Sequence, residues 1–419
     1  MTTITAIASG TFYGWRVVGG AFVLALFGWG MGFYGPPVFL SVLHERRGWP
    51  LALIATAITA HFLVGAIAGA NLPALHRRFG ASTATKAGAL LLALGTMGWA
   101  TASAPWQLFV AALLSGAGWG AMSAVAVNGI VSPWFVRGRP AALAMAYNGG
   151  SVGGVIFSPL WVAAIGMLGF PVAAAAIAFV MAVAMWVLAA TLFSRTPEEM
   201  GLTPDGPGAP QTSVISPAAK PCPGTLLWRD LKFLTLAAGM ALGLFAQIGL
   251  VAHLFSLLAP ALGAQGAGVA MGFATALAIA GRMVVGWAMP LGADRRLVAS
   301  ASYAVQMIGS IAFLVAAGTS IPLLLLGIVL FGIGFGNSTS LPPLIAQVEF
   351  VAEDVPRAVA LIVAVAQGAY AFAPAAFGLI RELAPHATGA AAGAAPGLFL
   401  AAALVQALAI GAFLAGRRR

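Results

Sequence analysis

The stretch Met271-Gly-Phe-Ala-Thr-Ala-Leu-Ala-Ile-Ala-Gly-Arg282-Met-Val-Val-Gly-Trp-Ala-Met-Pro290 holds one charge among apolar and small residues. Its length and composition predict a helix long enough to cross about 30 Å of hydrocarbon. A guanidinium near the centre of such a helix costs roughly 2.5–3.5 kcal/mol on insertion scales. That cost is met when the group faces a water-filled cavity or a partner, so Arg282 marks a functional cavity. A structural pin to backbone carbonyls is the competing reading.

The rest of the chain has the same character. Hydrophobic residues make up 61% of the 419 residues and charged residues 7%, against about 25% charged in soluble domains. Twelve apolar spans are predicted, near 16–41, 51–75, 84–103, 108–133, 141–165, 172–194, 232–258, 268–291, 298–318, 322–346, 358–381 and 397–415. They are called spans 1 to 12 below. The predicted fold class is an all-α integral membrane protein of two pseudo-symmetric six-helix bundles. Its parts are an N-terminal bundle (1–194), a Pro/Gly-rich linker (195–231) and a C-terminal bundle (232–419).

The net charge of +10 would point to nucleic acid in a soluble chain. Here it is a matter of topology. With a cytoplasmic amino terminus, sixteen of the 20 lysines and arginines fall in inner loops and tails and three (Arg46, Arg47 and Arg381) in outer ones. The positive-inside rule therefore puts both termini and the linker in the cytoplasm, in the cell membrane. Residues 1–14 show no cleavage-type boundary, and the single cysteine, Cys222, allows no intramolecular disulfide. Nucleotide-binding loops, metal-ligand clusters and nucleophile–base spacings are missing, so neither an enzyme nor a cofactor is expected. The linker is too short for a motor domain, which leaves ion and solute gradients to drive any transport.

The spans hold Arg282, His253 and His61 but no Asp or Glu. A positive interior suits an anion, and a carboxylate matches a guanidinium in a bidentate, planar way. His253, in the outer part of span 7, is read either as a donor or proton carrier or as a histidine bonded to a neighbouring helix. His61 is read as a polar side chain bonding across a helix seam. Helical spacing puts Gln367, Tyr370 and Pro374 on one face of span 11, and Phe331, Phe335 and Ser338 on one face of span 10. In span 5, Asn148, Ser151 and Ser158 form a polar line. Span 1 adds Trp29, Phe33 and Tyr34 ahead of Pro36-Pro37. Such a set supplies the anchor, hydrogen-bond donors and apolar walls of a small-anion site. The pairs Gly28/Gly32, Gly116/Gly120, Gly149/Gly153 and Gly332/Gly336 give smooth helix faces, suited to static packing or to a moving seam.

These motifs resemble the major facilitator superfamily over essentially the whole chain, and within it the monocarboxylate transporter and oxalate/formate exchanger branch. The resemblance rests on Tyr13-Gly-Trp-Arg-Val-Val18, on Trp134-Phe135 with Arg137, Arg139 and the glycines at 149, 150, 153 and 154, and on Arg195-Thr-Pro-Glu-Glu-Met-Gly-Leu-Thr-Pro-Asp-Gly206. It extends to Gly281, Arg282, Gly286, Trp287, Asp294 and Arg295. It implies that Arg282 anchors the substrate carboxylate. Three departures stand beside it. Arg77 occupies a position the family usually fills with an acid. Ala278 stands where animal lactate carriers have an Asp, and span 1 has no Lys. Span 11 lacks the second basic residue of the oxalate type, which favours a monoanion.

The expected activity is transport of a lactate- or pyruvate-like monocarboxylate by alternating access with proton symport. The expected partners are a small organic monoanion, protons and lipid, with no nucleic acid and no obligatory protein. Arg282 would hold the carboxylate, and Asn148, Gln367, Tyr370, Tyr34 and His253 the remaining oxygens. Phe331 and Phe335 would form the wall, His253 or Arg282 would take part in proton coupling, and Asp294 with Arg295 or Arg139 would close the cytoplasmic side. A carboxylate exchanger and a carrier of another small solute are the alternatives; a receptor would be expected to carry a long soluble extension.

Overall fold

The computed structural model describes residues 12–206, 224–290, 293–351, 354–383 and 393–417. Lys220, Cys222, Arg418, Arg419 and linker residues 207–223 lie outside them. Among the described residues, ten helical runs are long and apolar enough to cross a membrane. Two of these, α3 (Leu51–Thr101) and α9 (Leu231–Ala288), have 51 and 58 residues. A helix of 51 residues would measure about 77 Å, more than twice the hydrocarbon thickness. Each is instead a pair of crossings joined at a glycine in the left-handed half of backbone space, Gly80 (φ 80°) and Gly263 (φ 71°), where a side chain would be strained. The contacts of span 4 show the reversal: Gly116 meets His61 and Gly118 meets Leu92, so residues on either side of Gly80 sit at one depth. Counting both pairs gives twelve crossings.

Several crossings are broken. Span 1 comprises α1 (Tyr13–Gly32) and α2 (Gly35–Arg47), and span 4 comprises α4 (Pro105–Ala121) and α5 (Ala124–Val131). Spans 5 and 6 are α6 (Arg139–Leu168) and α7 (Phe170–Thr191), followed by the short α8 (Gly224–Leu227). Spans 7 and 8 form α9, and span 9 is α10 (Arg295–Ala316). Span 10 divides into α11 (Ile321–Phe335) and α12 (Asn337–Glu349), span 11 into α13 (Val355–Ala371) and α14 (Ala373–Leu383), and span 12 is α15 (Pro396–Ala415).

The two bundles share a packing pattern. In the first, Gly116 and Gly120 of span 4 lie against the carbonyls of His61 and Gly65 in span 2; in the second, Gly332 and Gly336 of span 10 lie against those of Ala274 and Ala278 in span 8. Gly95 of span 3 meets the Ser115 backbone as Gly309 of span 9 meets that of Phe331. These glycines pack helices within a bundle, as do Gly28/Gly32 and Gly149/Gly153. Of the two readings given to those pairs, static packing is the one their contacts match.

The seam between bundles uses other residues. Gly272 and Gly268 of span 8 lie against the carbonyls of Val155 and Ser158 in span 5, and Gly378 of span 11 against Ala52 and Ala55 in span 2. Among the hydrogen bonds that cross the seam, the Ala52 N–H donates to Glu382 Oε1 (2.8 Å) and the Ala375 N–H donates to Thr59 Oγ1 (3.1 Å). All of these contacts lie in the half away from the chain termini. Toward the termini, Met145 and Asn148 of span 5 and Met283 and Trp287 of span 8 are exposed. The bundles thus meet at one face and splay toward the other.

Candidate functional site

Arg282 owes its position to two glycines. A Cβ on Gly281 would stand 2.2 Å from the Ile333 carbonyl oxygen, and one on Gly336 would stand 2.0 Å from that of Ala278. Spans 8 and 10 are therefore in backbone contact, a distance only small residues permit. Span 10 breaks at Gly336, between α11 and α12. The Gly336 carbonyl at the break receives side chains: Arg282 Nε donates to it at 3.1 Å and Ser340 Oγ at 3.4 Å. The guanidinium is held by one edge and half-buried. Among the described residues it forms no ion pair, so its other nitrogens keep donors for a ligand.

Tyr34, from the first bundle, brings its phenol within electrostatic range of Arg282. It also lines a narrow cleft of about 20 Å³ with Val251, Leu254, Met271, Ala274, Thr275, Phe331 and Phe335. Phe331 is buried, and its ring lies 6.1 Å from that of Phe335. Both predicted wall residues thus stand beside the Arg282–Gly336 junction. Above them an aromatic line runs from Trp29 to Trp119 (4.9 Å), Phe33, Phe62 and Tyr370. Its last step, Phe62 to Tyr370 at 6.1 Å, crosses between the bundles.

The other predicted residues are spread more widely. Asn148 is exposed on span 5 and Gln367 half-buried on span 11. His253 does not line the cleft. It is fully buried, its Nε2 donates to the Pro374 carbonyl (3.1 Å), and Nδ1 has no partner among the described residues. His61 has both nitrogens engaged, with Ser115 Oγ (2.8 Å) and the Gly32 carbonyl freed by the break in span 1 (2.9 Å).

The three residues assigned to a cytoplasmic closure bond within their own bundles. Arg139 donates to the Phe135 and Ser132 carbonyls, and Arg295 to the Leu344 carbonyl. Asp294 caps span 9 through the Arg296 and Leu297 N–H groups and pairs with Arg417 at 2.6 Å. Slight burial acts to raise the Asp294 carboxyl pKa; the Arg417 bond and charge, with the two N–H donors, outweigh it and hold it below the ordinary carboxylate value. A deeply buried ion pair lies outside the residues that the sequence singles out. Arg296, 1% exposed, forks onto Glu349 at 2.6 and 2.8 Å and also bonds the Lys232 carbonyl and Thr235. Nothing in the pair Arg295-Arg296 distinguishes which arginine turns inward. The seam pair Gly268/Gly272 is a further omission, although its four-residue spacing is visible in the sequence.

Three motifs quoted separately above converge at the termini-bearing face. Asp205, in the linker opening, accepts from the N–H groups of Val136, Arg137 and Gly138 at 2.9–3.1 Å. Phe12 packs edge-on against Trp134 and Phe135, and Tyr13 Oη donates to the Thr191 carbonyl. They brace the first bundle.

Residues 87–374 match a family model described as Major Facilitator Superfamily. Among curated proteins no sequence match is found. Solved structures similar to this fold include the nucleoside transporter NupG (13% identity, TM-score 0.67, covering 96% of this chain and 99% of that one). Another is a bacterial homologue of the human lysosomal transporter Spinster in an inward-facing and occupied conformation (12% identity, TM-score 0.69, 97% of each chain). At such identities the likeness is one of fold.

Proposed function

The chain belongs to the major facilitator superfamily, and on that premise we propose that it carries a small monocarboxylate across the cell membrane by alternating access with proton symport. The observation that carries the reading is Arg282: a membrane-embedded guanidinium, tethered through Nε to Gly336, without an acidic partner among the described residues and beside an aromatic-walled cleft. The tether leaves the remaining nitrogens in a fixed plane, the geometry that a carboxylate takes up in two parallel hydrogen bonds. Tyr34 from the first bundle and Arg282 from the second would hold the anion between them, so that binding favours the bundles drawing together. Asn148, Gln367 and Tyr370 would reach the substrate as the splayed side narrows. We assign that side to the cytoplasm by the basic residues of its loops, with bundles 1–194 and 232–419 joined by linker 195–231.

The closures follow from the same reading. Glu382–Ala52 and Thr59–Ala375 hold the far side shut here. Asp294, Arg295 and Arg139 would exchange partners when the cytoplasmic side closes. His253, buried against span 11 beside that far-side seal, is assigned to proton coupling rather than to direct contact with the carboxylate.

Uptake of labelled lactate, pyruvate, formate, oxalate and a sugar into proteoliposomes tests the proposal. Wild type is expected to take up monocarboxylates, faster with an inward proton gradient. Arg282→Lys, which keeps charge but loses the planar fork, is expected to reduce uptake at least about ten-fold. Full uptake by the Lys variant would remove the bidentate role. Indifference to the gradient would replace symport with exchange or facilitated diffusion.

A further inference from the structure

Resting on the reading of Arg282 as the carboxylate anchor, we infer that Gln306 of span 9 is a positioning residue for it. The guanidinium offers a carboxylate a fixed plane only while the Gly336 carbonyl that tethers its Nε is itself fixed. That carbonyl lies at the join of two helices, after α11 ends at Phe335 and before α12 begins at Asn337. Glycine has the widest backbone freedom of any residue and no side chain with which to pin the join. The join therefore depends on its neighbours.

Gln306 grips it from both sides. Its side chain is fully buried, and Nε2 donates to the Gly334 carbonyl in the last turn of α11 (3.0 Å) and to Ser338 Oγ in the first turn of α12 (3.1 Å). One amide thus spans the break, bonding residues two before and two after Gly336. Span 9 comes this close because Gly334 lacks a side chain: a Cβ there would stand 2.4 Å from Gln306 Cγ and 2.6 Å from the Ser302 carbonyl oxygen. The Gly334 carbonyl accepts only, so it fixes which end of the amide faces the join. A methionine of similar size would fill the space without holding either helix. Neither Gln306 nor Ser338 lines the cleft beside Arg282, so the amide acts on a ligand through the Gly336 backbone and the guanidinium. Ser338, which spacing puts on one face with Phe331 and Phe335, is the other half of this splint.

The test is a double-mutant cycle in proteoliposomes, using whichever of labelled lactate, pyruvate, formate and oxalate wild type takes up fastest. Gln306→Met is expected to raise the half-saturating concentration about ten-fold, the lower end of what losing an orienting partner costs a metal ligand. Added to Arg282→Lys, whose ammonium has no plane to orient, the same change is expected to alter it by less than about two-fold. A full ten-fold loss in that background would show Gln306 acting on the fold at large and overturn the inference. So would Gln306→Met saturating like wild type. A wild type that takes up no carboxylate would overturn the anchor and the splint together. Ser338→Ala, which removes one of the two bonds, repeats the cycle if Gln306→Met does not fold: a loss confined to the Arg282 background is expected, and equal losses in both backgrounds would overturn the inference.

Discussion

The junction of spans 2 and 4 and the junction of spans 8 and 10 are built alike and used differently. Each is a helix pair in backbone contact, seated by two glycines four residues apart, Gly116/Gly120 in one and Gly332/Gly336 in the other. Each has a broken helix beside it with a carbonyl at the break that accepts from a basic side chain. In the first bundle His61 takes the Gly32 carbonyl and Ser115, and everything is satisfied and buried. In the second, Arg282 takes the Gly336 carbonyl with one nitrogen and keeps the others available. The register that aligns the glycine pairs sets His61 against Ala274 and Gly69 against Arg282. The first bundle thus has no side chain where the second has its charge. The contrast separates a scaffold repeated in both halves from a candidate site present in one.

The comparison breaks most sharply at the unequal pair. Arg282→Ala is expected to lower carboxylate uptake at least about 100-fold, the loss of a charge-assisted bidentate contact, with little change in thermal unfolding. Gly69→Ala, whose added Cβ has its nearest neighbour at 3.7 Å, is expected to leave uptake unchanged. Equal losses in the two variants would make the halves equivalent and remove the site from the second.

The glycine pair should fail in both halves. Gly336→Ala places Cβ 2.0 Å from the Ala278 carbonyl oxygen, and Gly120→Ala places it 2.5 Å from that of Gly65. Each is expected to destabilise the protein by about 1–3 kcal/mol through overpacking, read as thermal unfolding in detergent. Only Gly336→Ala should also weaken substrate binding, because it displaces the carbonyl that tethers Arg282.

A smaller effect is expected from His61→Ala. It removes two interhelical hydrogen bonds, each worth about 0.6 kcal/mol on average inside membranes, and unfolding should shift accordingly while uptake persists. Loss of uptake at unchanged stability would give the first bundle a functional group of its own.

The smallest effect is set at the membrane surface. Slight burial acts to raise the Asp205 pKa, but the N–H groups of Arg137, Gly138 and Val136 and the Arg137 charge outweigh it and hold it below the ordinary 3.8. A folded value below the unfolded one stabilises the protein above the unfolded pKa, and the gain is lost as pH falls through the folded value. The stability difference between wild type and Asp205→Asn should therefore be steady near neutrality, begin to shrink near pH 3.8 and be lost as pH falls through the lower folded value. A difference that grows on acidification would reverse the assignment.

Much of the scaffold is legible in the chain because membranes impose simple rules. Lengths near twenty apolar residues, basic loops and small residues at four-residue spacing can be counted directly, and Arg282 stands out because a charge in hydrocarbon is costly. The reading of His61 as a seam-bonding residue follows from its type and isolation, and its two hydrogen bonds match it. What side chains do at equal local cost is less legible. Arg295 and Arg296 are adjacent and chemically identical, yet only Arg296 turns inward to Glu349. Gly268/Gly272 has the same spacing as Gly332/Gly336, but one lies on the seam between bundles and the other inside a bundle. Local spacing gives the shape of a helix face and carries no information about which helix covers it.

By itself, then, the sequence determined a multi-pass helical membrane protein with one arginine placed where a charge has to be used. That follows from composition and period, which act within a single helix and need no knowledge of neighbours. Only the tertiary structure decided that Arg282 is tethered by Gly336, that Phe331, Phe335 and Tyr34 share its cleft, and that His253 turns to Pro374 instead. Those facts depend on breaks in spans 1 and 10 and on backbone contacts between helices distant in sequence.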